Sequence, residues 1–212
     1  MPYAQVDDVK LYHEVHGSGF PLVLSHSGFS NLETFAKVTP LLAEKYKVVL
    51  WDRRGCGKSS PAPDGSQSAE RWVKDLHGLL RHLGIKKAYV GGVSYGSFLT
   101  VEYMLAHPET TAAAIPISCN PFGWGHDRPN ATPFPDRTND LPKVKLPVLW
   151  VNGELDANMP PSMGQRAQKL TPGSELVVFK GIGHNPERDA PEQLVRAITD
   201  FLSRVEARSG VI

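Results

Sequence analysis

The stretch VGGVSYGSF, residues 90–98, decides how this chain is read. Its core, Gly92-Val93-Ser94-Tyr95-Gly96, has the form G-x-S-x-G. Two glycines around a serine can make an ordinary tight turn, or a bend that holds a nucleophile out of a helix. The flanks separate the two readings. Residues 88–90 are a short apolar run that predicts a strand, and 98–106 carry helical spacing. Strand, sharp turn and helix are the setting in which such a serine is presented for attack. Small residues at Gly92 and Gly96 let the turn pass close to neighbouring backbone, and the helix N-terminus favours negative charge near Ser94.

Outward from this point, short apolar runs alternate with helical patterns. Strands are predicted at 9–15, 21–24, 48–51, 88–90, 112–117, 148–151 and 176–179. Helices are predicted at 32–43, 69–83, 98–106, 163–170 and 191–205. Continuous apolar strands between helices imply a mostly parallel sheet with helices on both faces, an α/β fold. At 212 residues and 41% hydrophobic content the chain suits a single domain spanning 1–212. The segment 119–147 breaks the rhythm. It holds Pro121, Pro129, Pro133, Pro135, Pro142 and Pro147 with Gly123 and Gly125, and is predicted to be a short irregular lid.

A serine hydroxyl needs a base to take its proton, and the base needs an acid to orient it. In a parallel sheet these belong at the carboxyl ends of later strands. LPVLWVNGELDANMP places Asp156 in the loop after one strand, and LVVFKGIGHNPERDAPE places His184 in the loop after the next. Glu154 competes for the acid role but falls nearer the strand end. His77, His82 and His107 sit on predicted helices or at their ends, His126 lies in the irregular segment, and Asp189 belongs to the start of the last helix. The expected donors to a developing oxyanion are the amide of Tyr95, directly after the nucleophile, and one from SHSGFSN, where Gly28 comes first and Phe29 second.

The stretches LVLSHSGFSN, VVLWDRRGCGKSS, VGGVSYGSF, PVLWVNGELD and GIGHNPERDAPEQL span nearly the whole chain in order. On them the chain resembles the α/β-hydrolase fold family of carboxylesterases, enol-lactone hydrolases and cofactor-free haloperoxidases. The resemblance implies a catalytic triad of Ser94, Asp156 and His184, with Gly28 and Tyr95 as the oxyanion hole. One departure stands out: relatives carry a helical cap between the strands that here end near Ile117 and begin near Val148, where this chain has only 119–147. Catalytic machinery therefore carries over, but not the substrate pocket. Phe29, Asn120, Phe122 and Trp124 are candidate substrate contacts. Phe122 and Trp124 read equally well as pins for the lid, and the direction of Arg53, Arg54 and Asn120 is open.

Other readings fall away. GCGKSS lacks the phosphate-loop glycine, which would have to stand at Asp52, and HEVH, residues 13–16, is one residue short of a zinc motif. Serine at 94 argues against a dehalogenase, which would use a carboxylate there. A net charge of +1 gives no reason to expect nucleic acid or an anionic membrane. No apolar run is long enough to span a bilayer, and the first residues do not read as a signal peptide. Cys56 and Cys119 have no metal spacing and read as free thiols of a cytoplasmic protein. The expectation is a serine esterase that needs no cofactor or metal, acting on small esters or lactones, as a monomer or homodimer. Its rivals are a perhydrolase or carbon–carbon hydrolase with the same triad, and a ligand-binding receptor on the same fold.

Overall fold

Eight strands form one sheet in the order β1-β2-β4-β3-β5-β6-β9-β10. The computed structural model describes residues 2–61, 67–126 and 132–209. Pro129, in the segment predicted to be irregular, lies outside them. β1 (Tyr3–Val6), β2 (Val9–His16) and β4 (Tyr46–Trp51) are joined antiparallel. From β4 the sheet is parallel through β3 (Phe20–Ser25), β5 (Ala88–Val93), β6 (Thr111–Ile117), β9 (Leu149–Gly153) and β10 (Glu175–Phe179).

The alternation of apolar residues builds two cores. Val23, Val49, Trp51, Val90 and Trp150 point to one face. There they meet Trp72, Leu76 and Leu79 of α2 (Ala69–His82), Phe98, Leu99 and Met104 of α3 (Tyr95–Ala106) and Ala167 of α4 (Pro161–Leu170). Leu22, Leu24, Val48, Leu50 and Ile115 point to the other face. These are covered by Leu42 of α1 (Thr39–Leu42) and by Leu194, Ile198, Phe201 and Leu202 of α6 (Pro191–Ser209). Burial on both faces is why these strands read as unbroken apolar runs. Among the described residues no helix is long and apolar enough to cross a membrane.

Two segments differ from the sequence expectation. The helix predicted at 32–43 is broken into a 3-10 turn, Leu32–Phe35, and the single turn α1. Pro40, which lacks an amide proton, starts a helix readily but cannot continue one. The interval 119–147 is not wholly irregular either. β7 (Phe122–Trp124) and β8 (Phe134–Asp136) pair as an antiparallel hairpin, followed by a 3-10 turn at Leu141–Lys143. Three-residue strands interrupted by Gly123 and Pro135 are too short to show a period of two.

The loop after β4 is built for rigidity. The Arg54 guanidinium forks onto buried Asp75 of α2 with two 2.7 Å bonds. Asp52 accepts from the amides of Leu32, at 2.7 Å, and Lys58, at 2.8 Å. GCGKSS therefore wraps a carboxylate of its own chain, and Gly57, at φ +51°, leaves the space that carboxylate fills.

Candidate active site

Ser94 stands between β5 and α3 at φ +53° and ψ −115°, in a region that non-glycine residues avoid. Such a conformation costs about 1–3 kcal/mol and persists only where its surroundings enforce it. Here the Ser94 amide donates to the Ile117 carbonyl at 3.0 Å, and the Ser94 carbonyl accepts from the amides of Ser97 and Phe98. The flanking glycines are sterically required. A Cβ on Gly96 would lie 1.9 Å from the Ser25 carbonyl oxygen, and one on Gly92 would lie 2.4 Å from the Gly96 carbonyl oxygen. Gly96→Ala is expected to cost about 2–4 kcal/mol, because the contact is backbone to backbone and neither partner can rotate away. Urea unfolding checks this, and a loss below about 0.5 kcal/mol would show that the bend is not held by this close approach.

Asp156 follows β9 and His184 follows β10, so both stand at the same edge of the sheet as Ser94. The His184 Nδ1 lies 2.7 Å from Asp156 Oδ2, with the Asp156 side chain fully buried. The other oxygen, Oδ1, accepts from the amides of Asn158 and Met159, both at 2.9 Å. Burial alone would raise the Asp156 carboxyl, but the bonds from His184 and the two amides outweigh it and hold the group below the ordinary carboxylate range. An ionised carboxylate only accepts, so the proton belongs on Nδ1 and Nε2 is left with its lone pair. Glu154 is occupied elsewhere, accepting from the Gly181 amide at 2.8 Å.

The Ser94 and His184 loops meet through Ser118, at φ +52° just past the end of β6, whose last residue, Ile117, accepts from the Ser94 amide. Its hydroxyl donates to the His184 carbonyl at 2.9 Å and its amide to the Val151 carbonyl at 2.8 Å. Among the described residues no hydrogen bond joins the Ser94 hydroxyl to the imidazole. In ligand-free sites that bond is often loose and tightens around substrate. The amides of Gly28 and Tyr95 have no protein acceptor among the described residues, and the Tyr95 ring lies against the Gly28 backbone, 2.8 Å from where a Cβ would be.

The remaining sequence candidates divide. Phe29 is 96% exposed at the rim beside Gly28, as is Leu155, 66% exposed, beside Asp156. Asn120 is used within its own turn, accepting from the Phe122 amide at 3.1 Å and donating to the Gly123 carbonyl at 3.3 Å. Trp124 packs on Phe98 with ring centres 5.9 Å apart, and Phe122 lies under the Arg166 guanidinium. His126 Nε2 donates to the Phe134 carbonyl at 3.0 Å, tying the hairpin shut. A groove of about 1160 Å³ runs past Tyr89, Thr111 and Pro147 at the opposite edge of the sheet and touches none of Ser94, Asp156 and His184.

One residue escaped the sequence reading. Glu187, in the short helix α5 (Pro186–Asp189), is 4% exposed and its Oε2 has no partner among the described residues. Burial lifts its carboxyl to about 7, against the pull of a hydrogen bond from its own backbone amide. An acid raised on folding binds a proton that the unfolded chain has already lost. Its destabilising effect therefore grows as pH rises from the ordinary carboxylate range to about 7 and is constant above that. Glu187→Gln is expected to gain about 2 kcal/mol over wild type at pH 8 and nothing at pH 4. Paired urea titrations test this, and an equal loss at both pH values would refute it.

Residues 21–142 match the family described as alpha/beta hydrolase fold, and 109–208 match one described as TAP-like protein. The chain is 33% identical over 124 residues to a putative carbamate hydrolase of Azorhizobium caulinodans, covering 58% of this chain and 45% of that protein. It is 37% identical over 100 residues to a proline iminopeptidase of Lactobacillus helveticus, covering 45% of this chain and 34% of the relative. The matches thus span less than half the length of these curated relatives. Among solved structures, an esterase of Thermogutta terrifontis superimposes with a TM-score of 0.86 at 22% identity, over 96% of this chain and 97% of that one. The enol-lactonase of Burkholderia xenovorans LB400 does so with 0.87 at 19% identity, over 95% and 100%.

Proposed function

Since the chain belongs to the alpha/beta hydrolase fold family, whose model matches residues 21–142, we propose that it is a serine hydrolase of carboxylic esters, lactones included. Ser94 Oγ attacks the carbonyl carbon while His184 Nε2 takes the hydroxyl proton. The developing oxyanion is met by the amides of Gly28 and Tyr95, reinforced by the N-terminus of α3. The protonated His184, steadied by Asp156, gives its proton to the leaving alkoxide and an acyl-enzyme remains. His184 then deprotonates water, which attacks the acyl carbon and releases the acid and Ser94.

The observation that carries this reading is the bond at 2.7 Å between His184 and the buried Asp156, at the same sheet edge as a serine held at φ +53°. Strain at Ser94 is wasteful in a mere turn, where glycine would serve without it. The likeness to an esterase and an enol-lactonase supports acyl transfer. The exposed Phe29 and Leu155 at the rim fit an open site that tolerates varied small to medium esters.

The test is a panel of 4-nitrophenyl esters of rising chain length with lactones alongside. Prolyl 4-nitroanilide and an aryl carbamate are included because of the curated relatives. A fluorophosphonate should add its mass to the peptide holding Ser94. Absence of both turnover and labelling would favour the ligand-binding reading, and turnover of the anilide alone would move the activity to peptidases.

A further inference from the structure

Arg53 and Arg54 are adjacent in sequence and both are buried, yet the fold treats them in opposite ways. Arg54 is neutralised by two bonds to Asp75. Arg53, 1% exposed, has no carboxylate partner among the described residues. Its guanidinium donates to the carbonyls of His26 and, at 2.8 Å, Ser27, meets the Cys56 side chain, and lies 4.7 Å over the Trp72 ring. Its Nε proton has no acceptor. The field of Asp52, the nearest acid in sequence, reaches the guanidinium, but that carboxylate makes its hydrogen bonds to the amides of Leu32 and Lys58. His26, beside the guanidinium, offers no negative charge: burial and the Arg53 cation keep it neutral. Burial also lowers Arg53, but only to about 10, so it stays charged at neutral pH. A buried cation with no carboxylate bonded to it is costly.

This cation lines a cavity of about 680 Å³, within the range of small-molecule sites. Gly28 and Tyr95, whose amides are the proposed oxyanion donors, also line it, together with Phe29, Gln67 and Trp72. Ser94, Asp156 and His184 do not line it, so the cavity adjoins the site through the two residues whose amides are the proposed oxyanion donors. Its rings can hold an apolar linker and Gln67 adds a polar group, while the net electrostatic demand is for one negative charge.

We propose that this cavity receives a carboxylate carried by the substrate, with Arg53 as its counter-ion, so that the preferred esters or lactones are monoanions. This rests on the ester-hydrolase reading of Ser94. The guanidinium meets a planar carboxylate through fork geometry, which favours that group over a neutral isostere. Its bonds to the His26 and Ser27 carbonyls also brace the oxyanion loop, so substrate charge and loop geometry are read by one residue.

The test compares matched esters: 4-nitrophenyl butyrate with mono-4-nitrophenyl glutarate, and phenyl butyrate with 4-carboxyphenyl butyrate. In wild type the anionic member of one pair should have kcat/KM higher by about tenfold or more, carried mainly by KM. Arg53→Gln should cut that ratio by about tenfold and Arg53→Lys should keep part of it. A ratio unchanged in folded Arg53→Gln, with both esters slowed alike, would show that Arg53 only braces the loop and would overturn the proposal. If Arg53→Gln does not fold, wild type decides: preference for the neutral member of both pairs overturns it. Should no ester be turned over and Ser94 stay unlabelled, the catalytic reading fails separately. The cavity is then judged by calorimetry on Ser94→Ala, where binding of glutarate in preference to glutaramide supports it and equal or absent binding refutes it.

Discussion

Ser94→Ala is expected to lower kcat for ester hydrolysis by about 10⁵-fold, with KM changed little. The alanine keeps Cβ and the bend but removes the only atom that can form the acyl bond. What remains is turnover by water held near two amide donors, which accounts for a small residual rate. His184→Ala should cost about as much, and the double variant hardly more, because the two act as one unit. Stability provides an independent check. Alanine at φ +53° is as strained as serine, so Ser94→Ala should unfold at the wild-type urea midpoint. Ser94→Gly should gain about 1 kcal/mol as the strain is relieved. Undiminished hydrolysis by Ser94→Ala would remove the serine from the mechanism.

Asp156→Asn should lower kcat by about 10⁴-fold while leaving the backbone in place. The carboxylate accepts three hydrogen bonds, from His184 Nδ1 and the amides of Asn158 and Met159. An asparagine oxygen facing the two amides would turn its NH₂ toward the imidazole. Nδ1 must then accept, the proton moves to Nε2, and the base is lost. The same substitution tests the electrostatics. A carboxyl held below its ordinary value stabilises the fold above that value of about 3.8 and loses this contribution as pH falls through the depressed folded value. The stability gap between wild type and Asp156→Asn should therefore be widest near neutral pH and close in acid. A gap that widens as pH falls would contradict the assignment.

Much of this was legible in the sequence because it is local or periodic. G-x-S-x-G between an apolar run and a helical pattern names the bend at Ser94. The alternation of Val23 with Leu22 and Leu24, and of Val49 with Val48 and Leu50, specifies strands covered on both faces. Asp156 and His184 were found because the chain returns to the same sheet edge after each strand, so position in a loop stands for position in space. The same logic has no purchase where the deciding partner is remote in sequence. Nothing in Arg53-Arg54 tells which arginine meets Asp75 and which lies over Trp72 with no carboxylate bonded to it. Nothing marks Glu187 rather than Asp189 as the buried acid, or Ser118 as the tie to the His184 loop. The hairpin of β7 and β8 rests on packing of Trp124 and Phe134 against Phe98, contacts made across the chain and invisible to a short window. The sequence by itself determined the sheet, the bend and the placing of Ser94, Asp156 and His184 after successive strands, because these depend on hydrophobic period and chain order. Only the tertiary structure decided which charges are paired and which buried cation faces the cavity, because burial and counter-ions are properties of residues brought together by folding.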